Sequence, residues 1–336
     1  MKIAILSSIA WRTPPRKYGP WEQVSSNIAE GLVERGFQVT LFATGNSRTR
    51  GKLESICEYP YAEDPSIDPK VAECLHISHL MEQAHDFDII HNNFDFLPIT
   101  YSRLIKTPMV TTIHGFSSPK IIPVYKKYNS SSHYVAISNS DRSPDLKYVA
   151  TVYNGINIDE FKFVREPEDY LLFFGRIHHD KGVFESIQIA RRTKRKLIIS
   201  GPIQDQEYFD TKVKPFINTD DVVYVGNSGP KQRLDLLGKA CALLHPVNFE
   251  EPFGLSVVEA MACGTPVIAF RRGSMPEIIL DGITGFLVNS VDEAVQALTG
   301  IETINRNDCK EWVFSRFSRQ KMTEDYLKVY RQILQE

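Results

Sequence analysis

The sequence predicts an α/β protein of two domains, each a parallel sheet covered by helices. Short apolar runs alternate with amphipathic stretches through most of the chain, which is the pattern of buried strands and the helices that cover them. A polar, charged stretch interrupts that alternation near the middle, and 336 residues exceed a single compact core of ordinary size.

In the first series, strands are expected at Ile3 to Leu6, Gln38 to Phe42, Asp88 to His91, Met109 to Ile113 and His133 to Ile137. Trp21 to Arg35 places Val24, Ile28, Leu32 and Val33 on one helical stripe, and Gly36 supplies the stop. Met1 to Ala10 could open a secretory leader, but Trp11, Arg12 and two prolines cut the apolar run, so a buried first strand fits better. The turn at Asn154-Gly155 and the charged run from Arg165 to Asp169 form the linker. Strands then recur at Tyr170 to Phe174, Lys196 to Ser200, Val222 to Val225, Ala242 to His245 and Val267 to Phe270. From Glu311 to Leu334, Trp312, Phe314, Phe317, Met322, Tyr326, Val329, Tyr330 and Ile333 repeat with a helical period.

Composition narrows the function. With 42% hydrophobic and 24% charged residues the chain is globular, and a formal charge of -2 argues against nucleic acid as the main partner. No apolar run approaches the roughly 18 residues of a membrane-spanning helix, so any membrane contact is expected to be peripheral. Cys57, Cys74, Cys241, Cys263 and Cys309 are widely spaced and form no C-x-x-C pair, which suits reduced thiols in the cytoplasm and argues against structural zinc. The oligomeric state is left open.

The most informative stretch runs from Asn248 to Ala269. A loop carrying Glu250 and Glu251 follows a strand, and a helix is expected to begin around Phe253 and stop at Gly264. Gly254, Leu255 and Ser256 then fall in its first turn, where unpaired backbone N–H groups and the helix dipole favour a phosphate. Glu251 and Glu259, eight positions apart, suit a polyhydroxylated ligand, although in isolation Glu259 equally fits a helix salt bridge. A second stretch, Phe174-Gly175-Arg176-Ile177-His178-His179-Asp180-Lys181-Gly182, delivers two cations at the C-terminal end of a strand, where open α/β sheets bind ligands. In isolation these two are ordinary surface charges.

Together these blocks resemble retaining GT-B glycosyltransferases of the family-4 type, known also as glycosyl transferases group 1. The E-x7-E signature, E-P-F-G-L, E-A-M-A-C-G-T-P-V and the later P-E-I-I-L-D-G-I-T-G-F-L-V occur in register, and the similarity spans most of the chain. The resemblance implies a GT-B fold, two Rossmann-like domains facing across a cleft. The first, 1–157, would hold the acceptor and be completed by a C-terminal helix at 318–336; the second, 158–317, would hold the donor.

By the same resemblance Glu251 contacts the transferred sugar, Glu259 binds the nucleotide ribose, and Arg176 and Lys181, beside Gly175, bind the donor phosphates. Gly19, in Tyr18-Gly19-Pro20-Trp21-Glu22, matches the first glycine of the family's Gly-Gly turn, while Pro20 replaces the second and removes a donor. His114, in Thr111-Thr112-Ile113-His114-Gly115, matches a histidine that contacts the donor sugar. Asn92, Asn93 and Asp95 follow a strand end and are candidates for acceptor hydroxyls. Lys120, Lys126 and Lys127 with Ile121, Ile122, Val124 and Tyr125 suggest a mobile acceptor lid, a membrane-surface contact or, somewhat better, a plain loop over the cleft. Arg191 to Lys196 reads as a solvated helix end.

The expected activity is therefore transfer of a hexosyl unit from a nucleoside diphosphate sugar to a carbohydrate, lipid-linked or small-molecule hydroxyl. It needs no metal and no cofactor beyond the donor. A nucleotide-sugar 2-epimerase and a non-catalytic nucleotide- or sugar-binding module are the alternatives. A dinucleotide-dependent dehydrogenase is disfavoured because no G-x-G-x-x-G follows the first strand. Gly201, Tyr224 and Asn227 are candidates for contact with the base.

Overall fold

The computed structural model describes residues 1–116 and 118–335. The chain forms two compact units, Met1–Ile156 with the segment from Arg319 onward, and Asn157–Ser318.

In the first unit β1 (Lys2–Leu6), β2 (Gln38–Phe42), β3 (Lys52–Glu54), β4 (Ile89–Asn92), β5 (Met109–Ile113), β6 (His133–Ala136) and β7 (Tyr148–Thr151) make one parallel sheet. Their order is β3-β2-β1-β4-β5-β6-β7. In the second, β8 (Tyr170–Phe174), β9 (Lys196–Ser200), β10 (Val222–Tyr224), β11 (Ala242–His245), β12 (Val267–Phe270) and β13 (Gly285–Val288) repeat the pattern as β10-β9-β8-β11-β12-β13. Both are Rossmann-like sheets. In each, strand order reverses beside the unit's first strand, and the crevice outside the carboxyl ends of the two strands at that point is where such sheets bind ligands.

The central strands were legible because both faces are covered, giving unbroken apolar runs. Three further strands, β3, β7 and β13, lie at sheet edges; β3 and β7 are half-exposed and short, so they carry no such run. β13 opens on Gly285, where a Cβ would stand 2.0 Å from the Val267 carbonyl oxygen. Close strand approach, not apolarity, chooses that residue.

The helical period of the last segment is broken in the structure. One helix, Arg306–Arg316, belongs to the second unit and another, Arg319–Gln335, to the first. Phe317 ends the former and is fully buried, its ring 5.9 Å from that of Phe253 and 6.0 Å from that of Trp312. Two residues on, the Arg319 N–H donates to the Ile156 carbonyl at 2.7 Å and starts the last helix. The helix expected from residue 318 thus begins at Arg319, and neither Gly nor Pro marks the break.

That helix packs on Pro20–Glu34 so closely that a Cβ at Gly31 would come 2.1 Å from Thr323 Oγ1. Arg319 donates to Glu34 at 2.7 Å. Deeper in, buried His91 on β4 is joined to the Tyr330 hydroxyl at 2.6 Å and to Thr112 Oγ1 at 2.7 Å, and Thr112 to the Tyr326 hydroxyl at 2.8 Å. Burial, with help from His114, lowers His91 to about 3, so the ring enters the core neutral.

Tyr330→Phe leaves one His91 nitrogen unpaired in the core and is expected to cost about 1–3 kcal/mol. Urea unfolding followed by Trp11 and Trp21 fluorescence in a Trp312→Phe background reads the first unit alone. An unchanged midpoint there would remove this bond from the stabilising contacts.

Candidate functional site

In the second unit, the loops leaving β8, β9 and β11 are packed backbone against backbone. Gly175 N–H donates to Ser200 O at 3.0 Å, Ile177 N–H to Pro202 O at 2.9 Å, and Asn248 N–H to Asp180 O at 2.7 Å. Two glycines permit this. A Cβ at Gly201 (φ +153°) would lie 1.7 Å from the Gly175 oxygen, and one at Gly182 (φ +73°) 1.9 Å from the Pro246 oxygen.

This packing brings Lys181, from the β8 loop, against Glu251, from the β11 loop, across the sheet's switch point. Lys181 Nζ donates to Glu251 Oε2 at 2.6 Å and lies 4.5 Å from the centre of the Phe249 ring. His245 Nε2, at the end of β11, is 3.3 Å from the same carboxylate oxygen. Burial pushes the Glu251 carboxyl up, but His245 and the Lys181 ammonium outweigh it and bring the group down to about 2. The Glu251 backbone is fixed as well: its carbonyl accepts from Ser274 N–H at 2.9 Å, and Glu250 accepts from Gly273 N–H at 2.5 Å. Half-buried Arg176 donates to Gln204 on the β9 loop.

The next helix is Leu255–Ala262, starting two residues later than the sequence suggests. Gly254 is its cap, left-handed at φ +86°, and accepts from the N–H groups of Val257 and Val258 at 3.0 and 3.4 Å. The amides of Leu255 and Ser256 precede those bonds, as the first amides of any helix do. Glu259 lies on this helix, buried, and accepts from Arg233 Nη2 at 2.7 Å. Burial raises its pKa, Arg233 opposes that, and Glu160 adds to it. Arg233 Nε is buried with no hydrogen-bond partner. Sequence reasoning missed Arg233 because the helix Pro230–Lys239 reads as an ordinary amphipathic one; only the pairing with a buried acid marks it. Of the base candidates, Tyr224 spends its hydroxyl on the Gly201 carbonyl at 2.9 Å.

In the first unit, Gly19 (φ +153°) precedes the helix Pro20–Glu34, and a Cβ there would lie 2.8 Å from that of Pro15. His114 follows β5; its ring stacks on Trp21 at 5.8 Å and its Nε2 is 3.0 Å from Asn93 Oδ1. Because a carbonyl oxygen only accepts, the His114 proton is assigned to Nε2. Burial lowers His114 to about 3.

Asn93 is fully buried and its Nδ2 has no hydrogen-bond partner. Its neighbours are used internally. Asn92 donates to the Asp95 carbonyl at 2.8 Å, while Asp95 accepts from the Tyr125 hydroxyl at 2.6 Å and is held at φ 130°, a strained value for a side-chain-bearing residue. Burial pushes Asp95 up to about 6 against that bond. The segment expected as a loop or mobile lid is anchored by the same residue: Tyr125, in the helix Ile122–Tyr128, is fully buried against Phe116 and Tyr134.

Two Rossmann-like units in one chain are the architecture of the GT-B glycosyltransferases. The chain belongs to the glycosyl transferases group 1: the profile of that family matches residues 156–332, and that of Glycosyltransferase Family 4 matches residues 22–160. It is 25% identical over 369 residues to the N-acetyl-alpha-D-glucosaminyl L-malate synthase of Bacillus anthracis, covering 93% of this chain and 94% of that protein. Among solved structures, a sucrose-phosphate synthase from Thermosynechococcus elongatus superposes with a TM-score of 0.79 at 18% identity, covering 99% of each chain. Anabaena HepE, solved in complex with UDP-glucose, superposes at 0.73 and 20% identity over 99% of this chain and 100% of its own. Among the described residues no helix is long and apolar enough to cross a membrane.

Lys181→Met is expected to raise Glu251 from about 2, since burial remains and the ammonium is gone while His245 still lowers it. At neutral pH it should cost the second unit about 3–5 kcal/mol, much of it recovered by adding Glu251→Gln. In the unchanged protein the folded value lies below the unfolded one, so this contribution is complete above about pH 4.5 and is lost as pH falls through about 2. Carboxyl NMR titration with denaturant unfolding measures both effects; a Glu251 still near 2 in Lys181→Met would contradict the pairing.

Proposed function

We propose that this protein is a retaining, metal-independent hexosyltransferase that uses a nucleoside diphosphate sugar. The observation that carries the reading is the buried Lys181–Glu251 pair at the switch point of the second sheet, beside the start of the helix Leu255–Ala262. The malate synthase, by its name a glucosaminyl-transferring relative, and HepE with bound UDP-glucose support a nucleotide-sugar donor.

In this reading the second unit holds the donor. The C1–O bond to the β-phosphate breaks, an acceptor oxygen bonds C1 on the same face, and the departing phosphate takes the hydroxyl proton. Negative charge builds on that phosphate. Lys181 uses one of its three N–H groups on Glu251 and keeps two for the phosphate, with Arg176 and the amides of Leu255 and Ser256 adding to them. Gly175 and Gly254 let the donor approach the backbone. The second oxygen of Glu251 accepts sugar hydroxyls, and Glu259, steadied by Arg233, accepts the ribose hydroxyls.

The first unit receives a carbohydrate, lipid-linked or small-molecule hydroxyl, with Asn93 donating through Nδ2, and Gly19 leaves the loop after β1 free to approach a phosphate or sugar of the donor. His114 remains neutral at physiological pH, so it adds no positive charge near a carbon that is itself becoming positive. A reducing compartment such as the cytoplasm suits the free Cys57, Cys74, Cys241, Cys263 and Cys309.

Arg176→Ala and Lys181→Ala are each expected to lower kcat roughly a hundredfold or more, the loss of one preorganised charge contact. Glu259→Ala should chiefly weaken nucleoside diphosphate binding in calorimetry. Screening nucleotide sugars by thermal shift identifies the donor, and release of nucleoside diphosphate only when an acceptor is added identifies transfer. Near-normal turnover in a folded Arg176→Ala protein, or conversion of donor without acceptor into an epimer, would overturn the reading.

A further inference from the structure

We infer that His178, His179 and Asp205 form a binding site for one divalent transition-metal ion of the zinc class, bracing the loop that carries Arg176 and Lys181. A ligand atom from each of the three lies within 4.8 Å of the other two. His179 Nδ1 and Asp205 Oδ2 are 3.1 Å apart. Two ligands on a tetrahedral ion at zinc–nitrogen and zinc–oxygen bond lengths stand about 3.3 Å apart, so this pair already has the required edge. The His178 ring lies against that of His179, centroids 4.1 Å apart, and its Nδ1 accepts from Asp180 N–H at 3.3 Å.

Both nitrogens of His179 face carboxylates, Nε2 at 3.0 Å from Asp180 Oδ1 and Nδ1 at 3.1 Å from Asp205 Oδ2, so an ion bound at Nδ1 displaces the proton there while Asp180 holds the one on Nε2. A carboxylate behind a ligating imidazole fixes the tautomer and raises the nitrogen's basicity. Two imidazoles and a carboxylate favour zinc, cobalt or nickel over magnesium or calcium, which prefer oxygen alone.

The location gives the ion its role. The β8 and β9 loops are already tied by the Ile177–Ile203 bridge and the Arg176–Gln204 hydrogen bond. An ion on His178, His179 and Asp205 adds a further tie between the same loops, one residue before Asp180, whose carbonyl is held by Asn248, and two before Lys181. It touches no reacting atom in the transfer proposed above. Its work is to restrict the segment from which the donor's phosphate contacts arise.

The test reads metal binding itself, so it stands or falls apart from the transferase mechanism. Tag-free protein stripped with a chelator is titrated with cobalt chloride, followed by visible absorption, and with zinc chloride by calorimetry. One ion per chain is expected. His179→Ala, at a 64% exposed side chain, and Asp205→Asn, which keeps the oxygen that caps Tyr208 N–H, should each weaken binding by about a hundredfold or more, and Asp180→Asn by about ten- to a hundredfold. His85→Ala, at an exposed histidine elsewhere, should change nothing. Binding of equal strength by His179→Ala and the unchanged protein, or no binding by the latter at micromolar metal, overturns the site.

Discussion

The second unit depends on one buried ion pair. Glu251 is charged and almost wholly out of water, which is costly unless a cation meets it at hydrogen-bond distance. Lys181 does so at 2.6 Å, and this fixes much else. The lysine must arrive from the β8 loop and the glutamate from the β11 loop, so both loops must descend to the same depth. Gly182, under the Pro246 carbonyl, and Gly273, where a Cβ would come 2.3 Å from Glu251 N, are the places where that descent leaves no room for a side chain. The motif glycines and the motif charges are thus one constraint seen twice.

That constraint explains which parts of the site were legible. Glu251, Glu259, Arg176 and Lys181 stand in contiguous blocks at strand ends, so position along the chain and the Rossmann order together place them on one edge of the sheet. Arg233 and Gln204 lie in stretches with no such pattern, and only three-dimensional pairing with Glu259 and Arg176 picks them out. In the first unit, Asn92, Asn93 and Asp95 look alike in sequence, yet hydrogen bonding consumes Asn92 and Asp95 and leaves Asn93 with an open donor. Tyr125 falls in a stretch expected as a loop or lid because its lysine neighbours are exposed, whereas its own ring is core.

The fold shows the same division. Strands covered on both faces declare themselves through apolar runs, while the half-exposed edge strands β3 and β7 do not. The break at Phe317 was hidden for a different reason: apolar residues continue in helical register on both sides, but the two halves bury them in different units. Periodicity reports that a face is buried and is silent about what buries it.

The two units also handle buried ionisable groups in opposite ways. In the first, burial keeps histidines neutral, lowering His76, His91 and His114 to about 4, 3 and 3, and raises Asp95 and Asp141 to about 6 and 7. Histidine values below 6.5 mean stability lost as pH falls from there; aspartate values above 3.8 mean stability lost as pH rises through 6 and 7. Between those limits the slopes oppose one another. The second unit instead keeps its charges and pairs them, Lys181 with Glu251 and Arg233 with Glu259. Fixed, oriented charge is what a departing diphosphate requires, and a neutral polar surface is what a hydroxyl acceptor requires. The proposed transfer therefore assigns each substrate to the unit whose buried electrostatics already suit it.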